Sequence, residues 1–195
     1  MIYKKNTIAL VRILKSGGVG VIPTDTIYGI VGSALNQKTV ERIYKLRKRN
    51  LKKPMIILIS DLQDLKKFSI DVLHPTSNIL RTWPSKTSIV FDCPQAKFHY
   101  IHRGTKSLAF RLPTSARRSQ KRRRQTFNLK AFLKQTGPLV APSANLEGEP
   151  PSKTIKDAQK YFGDKVDFYI DAGKKVSKPS RLFKIVDGKI IELRK

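Results

Sequence analysis

Two groups of short polar side chains in this sequence could bind a small polar ligand. The first group, Thr24-Asp25-Thr26-Ile27-Tyr28, follows the apolar run 19–22 and offers two hydroxyls, a carboxylate and a phenol. In the second group, Ser143 and Asn145 follow the apolar run 139–141, and in an extended stretch their side chains share a face. Each group has a local alternative, a turn for the first and a helix cap for the second. Only the neighbours of each group in the fold separate the two interpretations.

Two clusters of basic residues add positive charge to the chain. The first lies within 42–53 and consists of Arg42, Lys45, Arg47, Lys48, Arg49, Lys52 and Lys53. It spans the end of a predicted helix and the loop before a buried strand, and α/β folds bind ligands at that edge of the sheet. The second lies within 117–124 and consists of Arg117, Arg118, Lys121, Arg122, Arg123 and Arg124. Because this segment has almost no apolar content, we predict a loop, which is either a solvated surface or an RNA contact.

The net charge of the chain points to an anionic partner. The sequence has 40 Lys and Arg against 14 Asp and Glu, a net charge of +26 over 195 residues. Self-repulsion of this size opposes folding and a polyanion would relieve it, although compositional drift is an alternative origin. Apolar runs fall far short of the roughly 20 residues of a membrane span, and the N-terminus lacks a signal-peptide core. A single cysteine, Cys93, allows no internal disulfide, which suits a reducing compartment. We therefore predict one cytoplasmic domain over 1–195 with no membrane partner.

The elements that must position these side chains alternate between helix and strand. Helical periodicity and capping residues predict helices at 6–16 with Asn6 as the cap, 36–46, 60–68 with Ser60 as the cap, 128–135 and 154–162. Apolar runs and turn signals predict strands at 19–22, 55–59, 88–91, 108–111, 139–141, 166–170, 182–186 and 189–193. Asp187-Gly188 joins the last two strands in a hairpin. We therefore predict an α/β protein with a mixed sheet.

The order and spacing of these motifs resemble the YrdC-type threonylcarbamoyl-AMP synthase family over nearly the whole chain. The segments that carry the resemblance are 23–29, 47–49 with 53–55, 83–84, 107–113, 142–145 with Gly148, 171–173 before Ser180, and the spacing from Ser180 to Arg194. The resemblance implies a single YrdC-like domain, with a twisted mixed β-sheet flanked by helices and a basic concave face. One departure is Arg47, where the family usually has lysine. The change replaces the compact charge of an ammonium with a planar guanidinium that has several N–H donors.

The family's reaction, as the resemblance implies, joins L-threonine, bicarbonate and ATP. A carbamate formed on the threonine amine attacks the α-phosphate, and pyrophosphate leaves. Nearly all participants are anions, so the step needs positioned cations more than a covalent nucleophile. The implied product serves threonylcarbamoyladenosine formation in tRNA, through a downstream threonylcarbamoyl transferase complex. Magnesium would arrive on the ATP phosphates, because Asp25 is the one carboxylate in the first motif and a protein metal site is not expected.

Residue roles follow from the match to the family's motifs. The expected catalytic residues are Arg47, Arg49, Ser143 and Asn145. The same four residues, with Lys53, Ser107 and Arg194, are expected to bind the nucleotide. Thr26, Arg111 and Ser180 are expected to form the threonine pocket, where a guanidinium can pair with the substrate carboxylate through two hydrogen bonds. An alternative function is an RNA-binding module, for tRNA or ribosomal RNA, without synthase activity, which would explain the cluster at 117–124 better.

Overall fold

One continuous sheet runs through the protein, in a computed structural model that describes residues 1–71, 82–114, 127–186 and 189–194. The described residues form ten strands in the order β1-β8-β2-β3-β7-β4-β6-β5-β9-β10. Their bounds are Ile2–Tyr3 (β1), Val19–Pro23 (β2), Tyr28–Ser33 (β3), Ile56–Leu58 (β4), Thr87–Asp92 (β5), Ser107–Arg111 (β6), Leu139–Val140 (β7), Phe168–Ile170 (β8), Arg181–Val186 (β9) and Lys189–Arg194 (β10). Parallel and antiparallel pairs both occur, for example β4 with β6 and β2 with β3. The prediction of a mixed α/β sheet is confirmed.

Short helices flank the sheet. They are α1 (Ile8–Lys15), α2 (Gln37–Arg47), α3 (His99–His102), α4 (Leu129–Thr136) and α5 (Ile155–Phe162), with 3₁₀ helices at Leu62–Phe68, Ala96–Phe98 and Gly163–Lys165. Within the described ranges, no helix has the length and apolar character that crossing a membrane requires. The basic segment 117–124 and the turn at 187–188 lie outside the described residues.

Two predicted helix caps are wrong by one residue. The cap of α1 is Thr7, whose hydroxyl accepts from the Leu10 amide at 3.3 Å, and Asn6 instead donates to the Asn128 carbonyl at 3.1 Å. The segment predicted to be a helix capped by Ser60 is a 3₁₀ helix capped by Asp61. The capping box at the start of α5 is confirmed, because Thr154 and Asp157 each bond the backbone of the other.

Strand β3 was not predicted, and it determines where the first polar group lies. It pairs antiparallel with β2, with Tyr28 opposite Pro23, so residues 24–27 form the loop of a β-hairpin. The Thr24 amide and hydroxyl both donate to the Ile27 carbonyl, at 3.0 and 2.7 Å. The local turn interpretation is therefore correct for part of this group, and the turn holds the remaining side chains at the end of two buried strands.

The core has one layer on each face of the sheet. Neighbouring residues of a strand point to opposite faces, and accordingly Val21 belongs to the layer under α2 and α5 while Ile22 belongs to the layer under α1 and α4. Gly20 of β2 lies beneath the Phe168 ring of β8, where an added Cβ would come within 2.2 Å of the ring. This close approach requires glycine.

We expect Gly20→Ala to lower the free energy of unfolding by about 2–3 kcal/mol, because overpacking forces a buried ring to move. Urea unfolding measures the change. The control is Ile8→Ala at an exposed position, expected to change stability by less than about 0.5 kcal/mol. Equal midpoints for Gly20→Ala and the parent protein would contradict this packing.

Candidate active site

A cavity of about 450 Å³ lies over the half of the sheet formed by β4, β6, β5, β9 and β10. Its floor consists of alternate residues of neighbouring strands, Ile56 and Leu58 of β4, Ala109 of β6, Val90 of β5 and Leu182 of β9. Strand register brings them together, since Ala109 lies opposite both Ile56 and Val90. An apolar floor with polar groups around it is typical of a small-molecule site.

Arg49 and Ser143 line the cavity beyond β4. The Arg49 guanidinium donates to the carbonyls of Lys53 and Pro54, at 3.0 and 2.9 Å, and these bonds fix its direction. Ser143 follows β7 and forms an isolated bridge with Gly29 of β3. The basic segment and the segment 143–145, which are far apart in the sequence, thus meet at one end of the cavity.

Arg47 joins these two segments. Its side chain is buried, with Nε donating to the Asn145 carbonyl at 3.0 Å and Nη2 to Ser143 Oγ at 3.2 Å and Asn145 Oδ1 at 3.3 Å. Nη1 is buried without a hydrogen-bond partner. Burial lowers the pKa of Arg47 to about 10, so the guanidinium remains charged at neutral pH. Arg47 and Asn145 are not among the residues that line the cavity, and Arg47 reaches it through Ser143.

Lys53 turns toward a carboxylate that the sequence analysis did not single out. Glu147 Oε1 accepts from Lys53 Nζ at 2.7 Å, and the Asn50 amide donates to Glu147 Oε2. The hydrogen bond from Lys53 has the largest effect and lowers the pKa of Glu147, and the bond from the Asn50 amide lowers it further. Lys53 is largely exposed and lies outside the cavity lining, so its predicted role at the nucleotide stays a prediction.

The residues predicted for threonine come together at the same cavity. Thr26, Arg111 and Ser180 line the cavity, and so does Arg194, which was predicted to bind the nucleotide. Arg111 Nη1 donates to Thr26 Oγ1 at 3.1 Å, and Arg194 donates from Nε and Nη2 to the Ser180 carbonyl at 3.0 and 2.7 Å. Ser180 Oγ also lies 2.9 Å from Ser88 Oγ, a buried hydroxyl that the sequence analysis missed. Alternation along β5 and β9 would have been the signal for Ser88.

Asp25 forms a buried ion pair with Arg111. Arg111 Nη2 lies 2.6 Å from Asp25 Oδ2, and the two side chains are only 5% and 7% exposed. The Thr114 amide and hydroxyl donate to the same oxygen, at 3.3 and 3.4 Å. Burial lowers the pKa of Arg111, and the Asp25 charge partly offsets this. The sequence analysis placed Asp25 among the polar groups that could bind a small ligand and considered it as a metal ligand, but it gave Asp25 no role in the threonine pocket.

Three further polar residues, Thr105, Ser107 and Lys184, line the cavity. Ser107, predicted to bind the nucleotide, lies there with Thr105, and their hydroxyls are 3.4 Å apart. Lys184 of β9 joins them and was not predicted; its ammonium is 3.7 Å from the exposed carboxylate of Asp92. The described residues that line the apolar floor therefore include the cations Arg49, Arg111, Lys184 and Arg194.

The segment 171–180 connects β8 to β9 along the edge of the cavity. The Tyr28 hydroxyl donates to the Gly173 carbonyl at 2.8 Å and accepts from the Ala172 amide at 2.9 Å, and burial raises the pKa of Tyr28 to about 12. Lys175 Nζ donates to the Thr24 carbonyl at 2.6 Å. The predicted motif at 171–173 thus anchors the segment that carries Ser180.

Comparison with known proteins identifies the family. A family model for Sua5, YciO and YrdC proteins, described as telomere recombination, matches residues 12–195. The chain belongs to this family. The resemblance inferred from the motifs is therefore confirmed.

Several relatives of this Sua5/YciO/YrdC chain carry an enzyme name. A Coxiella burnetii protein named threonylcarbamoyl-AMP synthase is 26% identical over 194 residues, which cover 98% of each chain. A Methanocaldococcus jannaschii protein, given the same name provisionally, is 30% identical over 193 residues, 92% of this chain and 80% of the relative.

Solved structures share the fold. Pyrococcus abyssi Sua5 complexed with L-threonine superposes with a TM-score of 0.81 at 22% identity, covering 100% of this chain and 57% of that one. Escherichia coli YciO gives a TM-score of 0.78 at 18% identity, covering 100% of this chain and 95% of that one. This family member thus spans little more than half the length of that Sua5 chain and nearly all of YciO.

Arg47→Met should lower the free energy of unfolding by about 1–3 kcal/mol, because it leaves buried oxygens of Ser143 and Asn145 without their charged donor. Arg47→Lys should fall between Arg47→Met and the parent protein, since one ammonium cannot reach all three acceptors. Urea unfolding of these variants of the Sua5/YciO/YrdC chain measures both effects. Lys48→Met, at an exposed neighbouring position, is the matched control, and an equal loss in the control and Arg47→Met would contradict the role of Arg47.

Proposed function

We propose that the chain synthesises L-threonylcarbamoyl-AMP from L-threonine, bicarbonate and ATP and releases pyrophosphate. The observation that carries the proposal is one cavity that is lined both by Arg49 and Ser143 and by Thr26, Arg111 and Ser180. The name of the Coxiella burnetii relative, which matches over 98% of both chains, supports the same reaction.

The composition of the cavity suits this chemistry. The threonine amine and bicarbonate form a carbamate and water, and a carbamate oxygen attacks the α-phosphorus of ATP while pyrophosphate leaves. The described residues that line the cavity include Arg49, Arg111, Lys184 and Arg194 but no histidine, cysteine or carboxylate. Fixed cations stabilise the charge that develops on the phosphates, and a covalent nucleophile is not needed. In the proposal Arg49 and Ser143 hold the departing pyrophosphate, and Arg111 holds the threonine carboxylate.

Magnesium enters the proposal as part of the ATP complex. Among the residues that the structure describes, no group of three or more histidine, cysteine, aspartate or glutamate side chains could hold a metal ion. Magnesium keeps several waters and binds readily through substrate phosphates, so the nucleotide itself can carry it into the cavity.

An RNA partner is also part of the proposal, because exposed cations adjoin the cavity. Lys45, Lys48 and Lys52 lie on the same segment as Arg49 and are exposed. They are well placed for phosphates of a tRNA, and the enclosed cavity favours a synthase over an RNA-binding module that lacks the activity. A threonylcarbamoyl transferase complex would consume the product, and the free thiol of Cys93 accords with a cytoplasmic location.

Pyrophosphate release should require ATP, threonine and bicarbonate together. Arg49→Ala should weaken ATP binding by about 10-fold or more, because it removes a charged donor from the phosphates. A coupled pyrophosphate assay and calorimetric titration with ATP measure the two effects, with Lys48→Ala as the control of equal charge change. Release that persists without threonine would refute the proposed reaction, and unchanged ATP affinity in Arg49→Ala would place the phosphates elsewhere.

Affinity for tRNA should fall steeply as salt concentration rises. The triple variant Lys45→Ala, Lys48→Ala and Lys52→Ala should reduce the slope of log K against log[salt] by roughly 2 to 3, near the 0.7–0.9 expected for each lost phosphate contact. Filter binding at several salt concentrations gives the slope. A slope that the triple variant leaves unchanged would show that this segment does not contact RNA.

A further inference from the structure

One oxygen of the Asp25 carboxylate is buried and has no hydrogen-bond partner. Oδ2 is occupied by Arg111 and Thr114, whereas Oδ1 is shielded from solvent and accepts no hydrogen bond. A buried acceptor without a donor is unfavourable. The most direct explanation is a donor that arrives with a ligand.

The position of Asp25 indicates which group of the ligand supplies this donor. Its neighbours Thr24 and Thr26 line the cavity, as does its ion-pair partner Arg111. Whereas the described lining residues supply cations, Asp25 brings a carboxylate to within 2.6 Å of one of them. A free α-amino acid carries a cation and an anion on one carbon, and a side-by-side Arg and Asp match both charges.

We propose that Asp25 binds the α-amino group of the amino-acid substrate while Arg111 binds its carboxylate. This inference rests on the proposed synthase function and adds a substrate contact to it. An amine N–H donated to a buried carboxylate is a charge-assisted bond, stronger than one between neutral groups.

The surrounding loop holds Asp25 in place for this contact. The 24–27 turn is closed by the bonds from Thr24 to the Ile27 carbonyl, and Lys175 binds the Thr24 carbonyl from the other side. Asp25 itself is not among the described residues that line the cavity, so a contact with the ligand requires its carboxylate to turn. The terminal torsion of an aspartate is broad, and turning about it moves both oxygens while the backbone stays fixed.

The contact also fits the chemistry of the nitrogen. Reaction of the amine with bicarbonate forms the N–C bond of the carbamate and releases one water, and the carbamate nitrogen keeps one N–H. That N–H can remain on Asp25 Oδ1 throughout, which directs the nitrogen lone pair away from the carboxylate and toward the incoming carbon. Asp25 therefore orients the nucleophile without entering a covalent step.

A purely structural role for Asp25 makes a different prediction. If Asp25 only orients Arg111, loss of Asp25 lowers the affinity for every ligand that carries a carboxylate by the same factor. If Asp25 binds the amine, its loss lowers the affinity for threonine but not for 3-hydroxybutanoate. This second ligand keeps the carboxylate and β-hydroxyl of threonine and has hydrogen in place of the amine.

The test is calorimetric titration of the full chain with each of these two ligands, in the presence of a non-hydrolysable ATP analogue. We expect the parent protein to prefer threonine by about 10-fold or more, the range of a hydrogen bond to a charged group. In Asp25→Asn the preference should fall to about 3-fold or less. Asp92→Asn, which removes an exposed carboxylate near Lys184, has the same charge change and should keep the parent preference.

Other outcomes are equally decisive. An equal preference in the parent and in Asp25→Asn would overturn the inference, and so would a parent protein that binds both ligands alike. If Asp25→Asn does not fold because Arg111 is left unpaired, Asp25→Glu retains the ion pair and displaces the oxygen by one methylene; an unchanged preference there would also overturn it. Failure of the parent protein to bind threonine at all would instead refute the proposed function.

Discussion

The geometry of the cavity depends on the burial of one guanidinium, that of Arg47. Its hydrogen bonds to Ser143 and Asn145 connect the end of α2 to the segment after β7, two regions that the sequence separates widely. Removing a charge from water is unfavourable unless several acceptors compensate, and the hydrogen bonds to 143–145 supply that compensation. Arg49, two residues further on, can then point into the cavity beside Ser143 because the turn that carries it is fixed.

The arginines of the site are held in two different ways. Arg47, Arg49 and Arg194 donate to carbonyl and amide oxygens of the protein, and two of them also donate to a hydroxyl, so their hydrogen bonds within the described part of the chain do not pair their charge directly with a carboxylate. Arg111 is paired with Asp25, so its charge is balanced within the fold. The two modes suit two kinds of ligand group: cations that contact no carboxylate can attract a polyphosphate, and a balanced pair can recognise a zwitterion.

Periodicity and motif order predicted most of the fold, because the long helices and buried strands have clear apolar patterns. Strand β3 was missed since Gly29 and Gly32 interrupt its short apolar run, and the cap of α1 was misplaced because Asn6 and Thr7 are both good capping residues. Thr26, Arg49, Ser143 and Arg111 were predicted and share one cavity. Lys184 and the pairing of Asp25 with Arg111 could not be predicted, because they depend on which strands are neighbours in the sheet rather than on local sequence.

The lining of the cavity draws on strands from β3 to β10, and Arg194 of β10 holds Ser180 through hydrogen bonds. Contacts between residues so distant along the chain close late in folding, after long loops have been ordered. During translation, a ribosome-bound chain would therefore remain unable to hold its substrates until the β9–β10 hairpin has left the exit tunnel. The chain can therefore bind its substrates only after folding is complete. A bound ligand in turn stabilises the attachment of this hairpin to the rest of the sheet.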